Sequence, residues 1–459
     1  MATGSRVSKL KDMFETKAPE QVDPRRQRCF KKYQTSTALS EESNLTKLGH
    51  LQLDPAGDEA TLSDLEKSGI DHIFSNACKF MALFKTGGLE SVILEIQSEL
   101  KRFQDTVLHI AVTGESGTGK SSFINALRGV GDADTEAAGI GEMETTMEPT
   151  KYKYPNQDRV AVWDLPGIGT PNFPAAMYLD RVEFDRYDLF LIVSTTRFKE
   201  NDMFLAKEIQ DRGKKFYFIR NKIDQDLESK ERRSISQYDQ KEALNELYNS
   251  SLDNLTKGGI ESPHIFLISC WYMEKFHFGA LLQVLEQDLP DLKRRLFLYS
   301  LPNVTSDVID GKKVVMLKEI WKDALCSAVA AAAPVPGLTT AYNITLLVTK
   351  LSQYRANFGL DDNSLQRLAK RIRKKPEELK LAVQSTFGVE VSAGLIKTEL
   401  SKLSRPAGKL RKAVKYLPFV RQVMAGRGTY TTTYSLLETA IEEMAEDAKR
   451  VIVKAFSEH

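Results

Sequence analysis

One eight-residue stretch constrains this chain more than any other. Gly114, Glu115, Ser116, Gly117, Thr118, Gly119, Lys120 and Ser121 form a complete G-x-x-x-x-G-K-S match. An apolar run at 107–112 precedes it and reads as a strand. Ser122 and the residues through Arg128 follow it and read as a helix. A strand, a glycine loop and a helix in that order build a phosphate cradle, because backbone N–H groups of the loop and first helical turn converge on phosphate oxygens. Lys120 is expected to reach the β- and γ-phosphates, and the Ser121 hydroxyl to ligate Mg²⁺.

Three further elements follow in order, each after an apolar run. Asp164-Leu-Pro-Gly167 ends the run at 160–163. Asp164 suits Mg²⁺ held through water, and the Gly167 N–H suits the γ-phosphate. Asn221-Lys222-Ile223-Asp224 ends the run at 216–219. The Asp224 carboxylate can accept from guanine N1–H and from its exocyclic amine. Adenine lacks that donor pair, and leaving a buried carboxylate unpaired costs on the order of 3–5 kcal/mol. GTP is therefore expected over ATP. Ser269-Cys270 ends the run at 265–268 and suits a loop whose backbone N–H meets guanine O6.

Between the phosphate loop and Asp164 lies Glu142-Met-Glu-Thr-Thr-Met147. Thr146 is the candidate for a Mg²⁺-binding, γ-phosphate-sensing switch residue, with Thr145 as the alternative. Many small GTPases carry glutamine directly after the Asp-x-x-Gly glycine to orient water. Here Ile168 stands there, and isoleucine cannot orient water. Either hydrolysis is slow or the missing group comes from elsewhere. Glu144 could supply it; a solvated surface glutamate is the other reading.

At 459 residues the chain has room for two or three domains, and 42% apolar with 27% charged residues is ordinary for a water-exposed globular chain. Its net charge of +2 does not single out nucleic acid, which is not an expected partner. Cys29, Cys78, Cys270 and Cys326 lack metal-ligand spacing and read as reduced thiols, and the histidines form no zinc motif. The N-terminus shows no secretory core segment. Ala2 follows the initiator where myristoylation requires glycine, and no C-terminal prenylation box is present. A cytoplasmic protein in peripheral contact with intracellular membranes is expected.

The chain divides into four parts. Residues 1–60 are polar, with Arg25, Arg26, Arg28, Lys31 and Lys32 clustered, and read as a flexible extension. Helical spacing fills 61–105. Alternating strand and helix patterns fill 106–290, which predicts an α/β domain with a parallel-type central sheet and its ligand at the carboxyl ends of the strands. Residues 291–459 read as helical. Within them, 324–349 carries no charge, so a buried helical pair and a membrane-inserted hairpin both fit. The segment 397–427 holds nine Lys or Arg against the single acid Glu399, with Leu400, Leu403, Leu410, Val414, Leu417 and Val420 as an apolar stripe. A helix lying on anionic membrane and a core-packed helix with a solvated basic face fit it equally.

These residues resemble a family, the immunity-related GTPases of the p47 interferon-inducible type. The resemblance covers roughly 60–459. It rests on 114–129, on Val162-Trp-Asp-Leu-Pro-Gly-Ile-Gly-Thr170, on Asn172-Phe-Pro174 and on Thr196-Arg-Phe-Lys-Glu-Asn-Asp202. Outside the nucleotide motifs it rests on Ser300-Leu-Pro-Asn-Val-Thr305 and Ser364-Leu-Gln-Arg-Leu-Ala369.

The resemblance implies a Ras-like P-loop GTPase domain joined to an all-helical domain built from both ends of the chain. It implies GTP and GDP binding, with hydrolysis activated when two nucleotide domains face each other as a homodimer or higher oligomer, and related GTPases as further partners. A glutamate two residues before the switch threonine is implicated in that activation, and Glu144 occupies its place. Lys120 groups the chain with the Gly-Lys-Ser effectors rather than the Gly-Met-Ser regulators. Effectors act like dynamins on vacuoles that enclose pathogens. Ala2 and the long basic N-terminal extension depart from the family pattern and put the membrane-targeting mode in question. A slow GTP-gated scaffold, whose function is partner binding, is the rival reading.

Overall fold

Apolar runs buried along nearly their whole length explain the central sheet. The computed structural model describes residues 71–456 apart from 133, 140–147, 168–177, 179, 235–237, 333–337 and 404–426. Helix α1 (Asp71–Asp105) bends at Gly88, whose φ of 67° only glycine adopts without strain, so two helical segments meet there. Next come β1 (Leu108–Gly114), α2 (Lys120–Arg128), β2 (Thr150–Tyr154) and β3 (Gln157–Asp164). They are followed by β4 (Leu189–Ser194), α3 (Glu200–Asp211), β5 (Lys215–Arg220) and α4 (Ile223–Arg233). Then come α5 (Gln240–Lys257), β6 (Ile265–Leu267), α6 (Phe278–Asp288) and α7 (Asp291–Ser300).

The strands form one six-stranded sheet in the order β2-β3-β1-β4-β5-β6. All neighbours are parallel except β2 and β3. The expected parallel sheet thus gains an antiparallel edge, because Pro155 and Asn156 leave room only for a tight hairpin and no crossover. Along β1, Ile110 and Val112 face one layer with Phe123, Leu127, Phe278 and Leu281. Ala111 faces the other, with Phe190, Ile192, Leu205 and Ile209. Helices therefore cover both faces. The order reverses at β1, whose neighbours lie on either side as β3 and β4. A crevice opens at the carboxyl end of such a strand.

The remaining elements are all helical: α8 (Ser306–Ala332), α9 (Leu338–Asn357), α10 (Asp362–Ile372), α11 (Pro376–Lys380), α12 (Thr386–Val389), α13 (Ala393–Lys402) and α14 (Arg427–Phe456). They share a third core with the first helix. Val92 and Ile96 of α1 pack among Ile320, Leu351, Leu437, Ile441 and Met444. Burying each such side chain contributes about 1.5–3 kcal/mol, so both ends of the described chain hold one helical body together.

Within 324–349, Ala324, Leu325, Ala328, Ile344 and Leu347 are buried in that core. No described helix is long and apolar enough to cross a membrane. Residues 1–70, including the basic cluster, and most of 397–427 lie outside the described residues.

Candidate nucleotide site

Glycine geometry sets the phosphate loop. Gly114 has φ 144°, and a Cβ there would come 2.1 Å from the Val193 carbonyl oxygen. Only glycine lets β1 approach β4 so closely as the loop begins. Gly119 caps α2 in the left-handed region at φ 84°, without a side-chain cap. A Cβ on Gly119 would come 2.6 Å from Asn221 Nδ2. The first N–H groups of α2, on Lys120, Ser121 and Ser122, have no carbonyl within their own helix to bind, and they carry its positive dipole end. Thr118 Oγ1 donates to the Glu115 carbonyl at 2.9 Å, and Lys120 Nζ donates to the same oxygen at 3.0 Å. That shared carbonyl curls the loop back on itself, while Ser116 and Gly117 stay exposed at its rim.

A second loop straps onto the first. Asn221 is buried, and its Nδ2 donates to the Thr118 carbonyl at 3.1 Å. Lys222 adopts φ 62°, and its Nζ donates to the Gly117 carbonyl at 2.9 Å. A non-glycine residue held there costs about 1–2 kcal/mol, which the two straps offset. Asp224 follows in the first turn of α4, and its Oδ1 is buried with no hydrogen-bond partner among the described residues. A buried carboxylate oxygen lacking a donor fits a ligand that brings one, as the guanine edge does.

Ser269 and Cys270 close this end. Ile268 N donates to the Arg220 carbonyl at 2.8 Å, and Ile223 N donates to the Ile268 carbonyl at 3.2 Å, so the two base-side loops are mutually registered. Ser269 is fully buried, and its Oγ accepts from Trp271 N at 3.2 Å. Burial pushes the Cys270 thiol up to about 12. It therefore stays protonated and donates to Asn221 Oδ1 at 3.2 Å.

On the other side of β1, Asp164 ends β3 and is buried. Leu165 N donates to the Val112 carbonyl at 2.9 Å, which continues the sheet by one bond past the strand. Tyr178 then pins the following loop. Its hydroxyl donates to the Pro166 carbonyl at 2.8 Å and sits 2.9 Å from Thr113 Oγ1. Gly167 is buried. Thr145, Thr146, Glu144 and Ile168 lie outside the described residues.

Four side chains around the site carry no sequence motif of their own for phosphate or base. Thr113 and Tyr178 hold the Asp164 loop. Lys199 pairs with Glu115 of the phosphate loop at 2.6 Å. Asp202, pushed up to about 6 by burial, accepts from Lys199 N at 3.0 Å and so fixes the Lys199 backbone. The only sequence signal for this pair is the stretch 196–202 shared with the family named above.

Oxygen donors at Ser121 and Asp164 are the hard ligands that Mg²⁺ prefers. Among the described residues no group of three or more His, Cys, Asp or Glu gathers as a metal cage.

Comparison with known proteins agrees with this geometry. Residues 77–455 match the family described as Interferon-inducible GTPase (IIGP). The chain is 39% identical to Interferon-inducible GTPase 5 of Bos taurus over 376 residues, 82% of this chain and 81% of that one. It is 36% identical to Interferon-gamma-inducible GTPase 10 of Mus musculus, over 80% of this chain and 86% of that one. Against Interferon-inducible GTPase 1 of Mus musculus it is 38% identical, over 66% of this chain and 73% of that one.

Proposed function

The chain belongs to the interferon-inducible GTPase family, and from that premise we propose a GTPase whose active site is completed by a second copy of itself. GTP binding and hydrolysis come with the family. The finer steps are our reading of the residues.

In this reading Lys120 neutralises charge on the β- and γ-phosphates, aided by the N–H groups that open α2. Ser121 and Thr146 would hold Mg²⁺ directly and Asp164 through water; when bound, the ion screens the phosphate oxygens. Asp224 receives the guanine N1–H and exocyclic amine, and the loop at Ser269 and Cys270 meets O6. Asn221 and Lys222 keep the base and phosphate loops in register. Gly167 senses the γ-phosphate through its N–H.

One observation carries the self-activation. Directly after Cys270, at the mouth of the base site, Trp271 is 71% exposed and Tyr272 is 44% exposed. Large apolar side chains at a nucleotide rim suit coverage by another protein surface. A facing second copy would cover this rim and supply what Ile168 lacks. Glu144, two residues before Thr146, then positions the attacking water.

Contact with intracellular membranes, in the manner of a dynamin-like effector of cell-autonomous immunity, is part of the same proposal. It rests on the family resemblance and on the basic, apolar-striped composition of 397–427.

Glu144→Ala tests the hydrolytic part. Nucleotide affinity should stay within about twofold, because in this reading the side chain meets only the attacking water, while turnover should fall by about 10²-fold, the usual contribution of a positioned general base. Equal turnover in variant and parent would remove Glu144 from the mechanism.

A further inference from the structure

Two motifs have no part in the nucleotide site, 300–305 and 364–369. Residues of both line one cleft, open to solvent, between the β2–β3 turn, the segment joining α7 to α8, and α10. Four cations line it, Arg128, Lys312, Arg367 and Arg371, and no carboxylate does.

Among the described residues, each cation donates its hydrogen bonds to neutral acceptors. Lys312 is 1% exposed, and its Nζ donates to the carbonyls of Leu301 at 2.6 Å and Asn357 at 2.8 Å. Arg128, also buried, donates to the carbonyls of Lys153 at 2.8 Å and Glu136 at 2.9 Å. Arg367 donates to Asn156 Oδ1 at 2.8 Å and Ser364 Oγ at 3.1 Å. Arg371 donates to the Met273 sulfur. Glu136 acts on Arg128, Asp134 on Arg367, and Glu274 and Asp132 on Arg371, all from outside the cleft lining.

Buried charges are as a rule paired, since neutral dipoles replace only part of the lost hydration. Four cations in a lining that holds no carboxylate leave the cleft wall itself positive. Burial alone brings Lys312 down to about 7, and a bound anion would restore its charge. Asn303 shares the lining, and its Oδ1 is buried with no hydrogen-bond partner among the described residues. A ligand hydroxyl would supply that donor.

We propose that this cleft binds a multiply phosphorylated polyol, through its phosphates to Arg128, Lys312, Arg367 and Arg371 and through a hydroxyl to Asn303. The same chemistry occurs free in solution and as a lipid headgroup.

The test uses the full chain held with excess GDP, so that the phosphate loop is already filled. Inositol hexakisphosphate is titrated by calorimetry, and vesicles with and without phosphatidylinositol bisphosphate are offered in a flotation assay. Saturable binding of the soluble probe without release of GDP is expected. Arg367→Glu, at a half-buried site, should weaken it by at least about tenfold, the equivalent of one charged hydrogen bond. Lys312→Met should do the same if the variant folds, whereas Lys257→Glu, exposed on α5, should leave it unchanged. Binding to phosphoinositide vesicles alone, lost in Arg367→Glu, would assign the ligand to a membrane. Absence of binding in both arms, or binding that Arg367→Glu leaves intact, overturns the proposal.

Discussion

Lys120→Ala should abolish measurable GTP turnover. The structure gives the lysine two connections to the phosphate loop: it opens α2, and its Nζ bonds the Glu115 carbonyl at 3.0 Å. Alanine is a better helix former than lysine, so α2 should persist. Thr118 Oγ1 still holds the Glu115 carbonyl at 2.9 Å, so the loop should keep its curl. What is lost is the cation proposed above to meet the β- and γ-phosphates. Removing one preorganised donor to a developing charge costs about 10²–10³-fold in rate, and a full positive charge in a phosphate site lies at the upper end. Affinity for GTP should fall more than affinity for GDP, because the γ-phosphate loses its only side-chain cation in this reading. Stopped-flow nucleotide binding and single-turnover hydrolysis, with circular dichroism to check the fold, measure this. Turnover within tenfold of the parent would mean that Lys120 does not contact the reacting phosphate.

Asp224→Asn should change which base the protein accepts. Asp224 presents a buried carboxylate oxygen with no donor among the described residues. Guanine offers two donors side by side, and a carboxylate accepts both. The amide of asparagine offers one acceptor and one donor, so its N–H₂ would oppose the guanine exocyclic amine. Sites that hydrogen-bond a ligand group reject the mismatched partner by about 10⁴–10⁵-fold when buried groups are left unpaired. Some of that is relieved here, because Asp224 is only half-buried. Xanthine carries a carbonyl where guanine carries the amine, so it matches the amide. Affinity for GDP should therefore fall by at least about 10²-fold, while affinity for xanthosine diphosphate rises. Unchanged discrimination would take the base away from Asp224.

Much of the site could be read locally because its chemistry is local. A phosphate cradle needs glycines, a lysine and a hydroxyl at fixed offsets, and the loop 114–121 contains them. Asp164, Asn221 and Asp224 could be found because each stands where an apolar strand runs out. The straps between these loops could not be read this way. Lys222 and Gly117 are 105 positions apart, and nothing in either neighbourhood encodes their hydrogen bond. The same holds for Cys270 and Asn221, and for Tyr178 with Thr113.

Strand β2 was obscured for another reason. Thr150-Lys-Tyr-Lys-Tyr154 alternates polar and aromatic residues at a half-exposed edge, and its direction depends on the hairpin turn beside it. The uncharged segment 324–349 was ambiguous because a buried helical pair and a membrane hairpin require the same apolarity. The surrounding helices bury both ends of the segment, since Ala324, Leu325 and Leu347 share one core with residues of α14 and α1.

The central claim is that assembly completes the active site. GTP turnover per monomer, measured across a wide range of protein concentration with light scattering recorded alongside, tests it most directly. The account predicts that specific activity and scattering rise together with concentration when GTP is present, and that neither rises with GDP. Slow turnover that stays flat across the range would contradict it and leave a GTP-gated scaffold as the function.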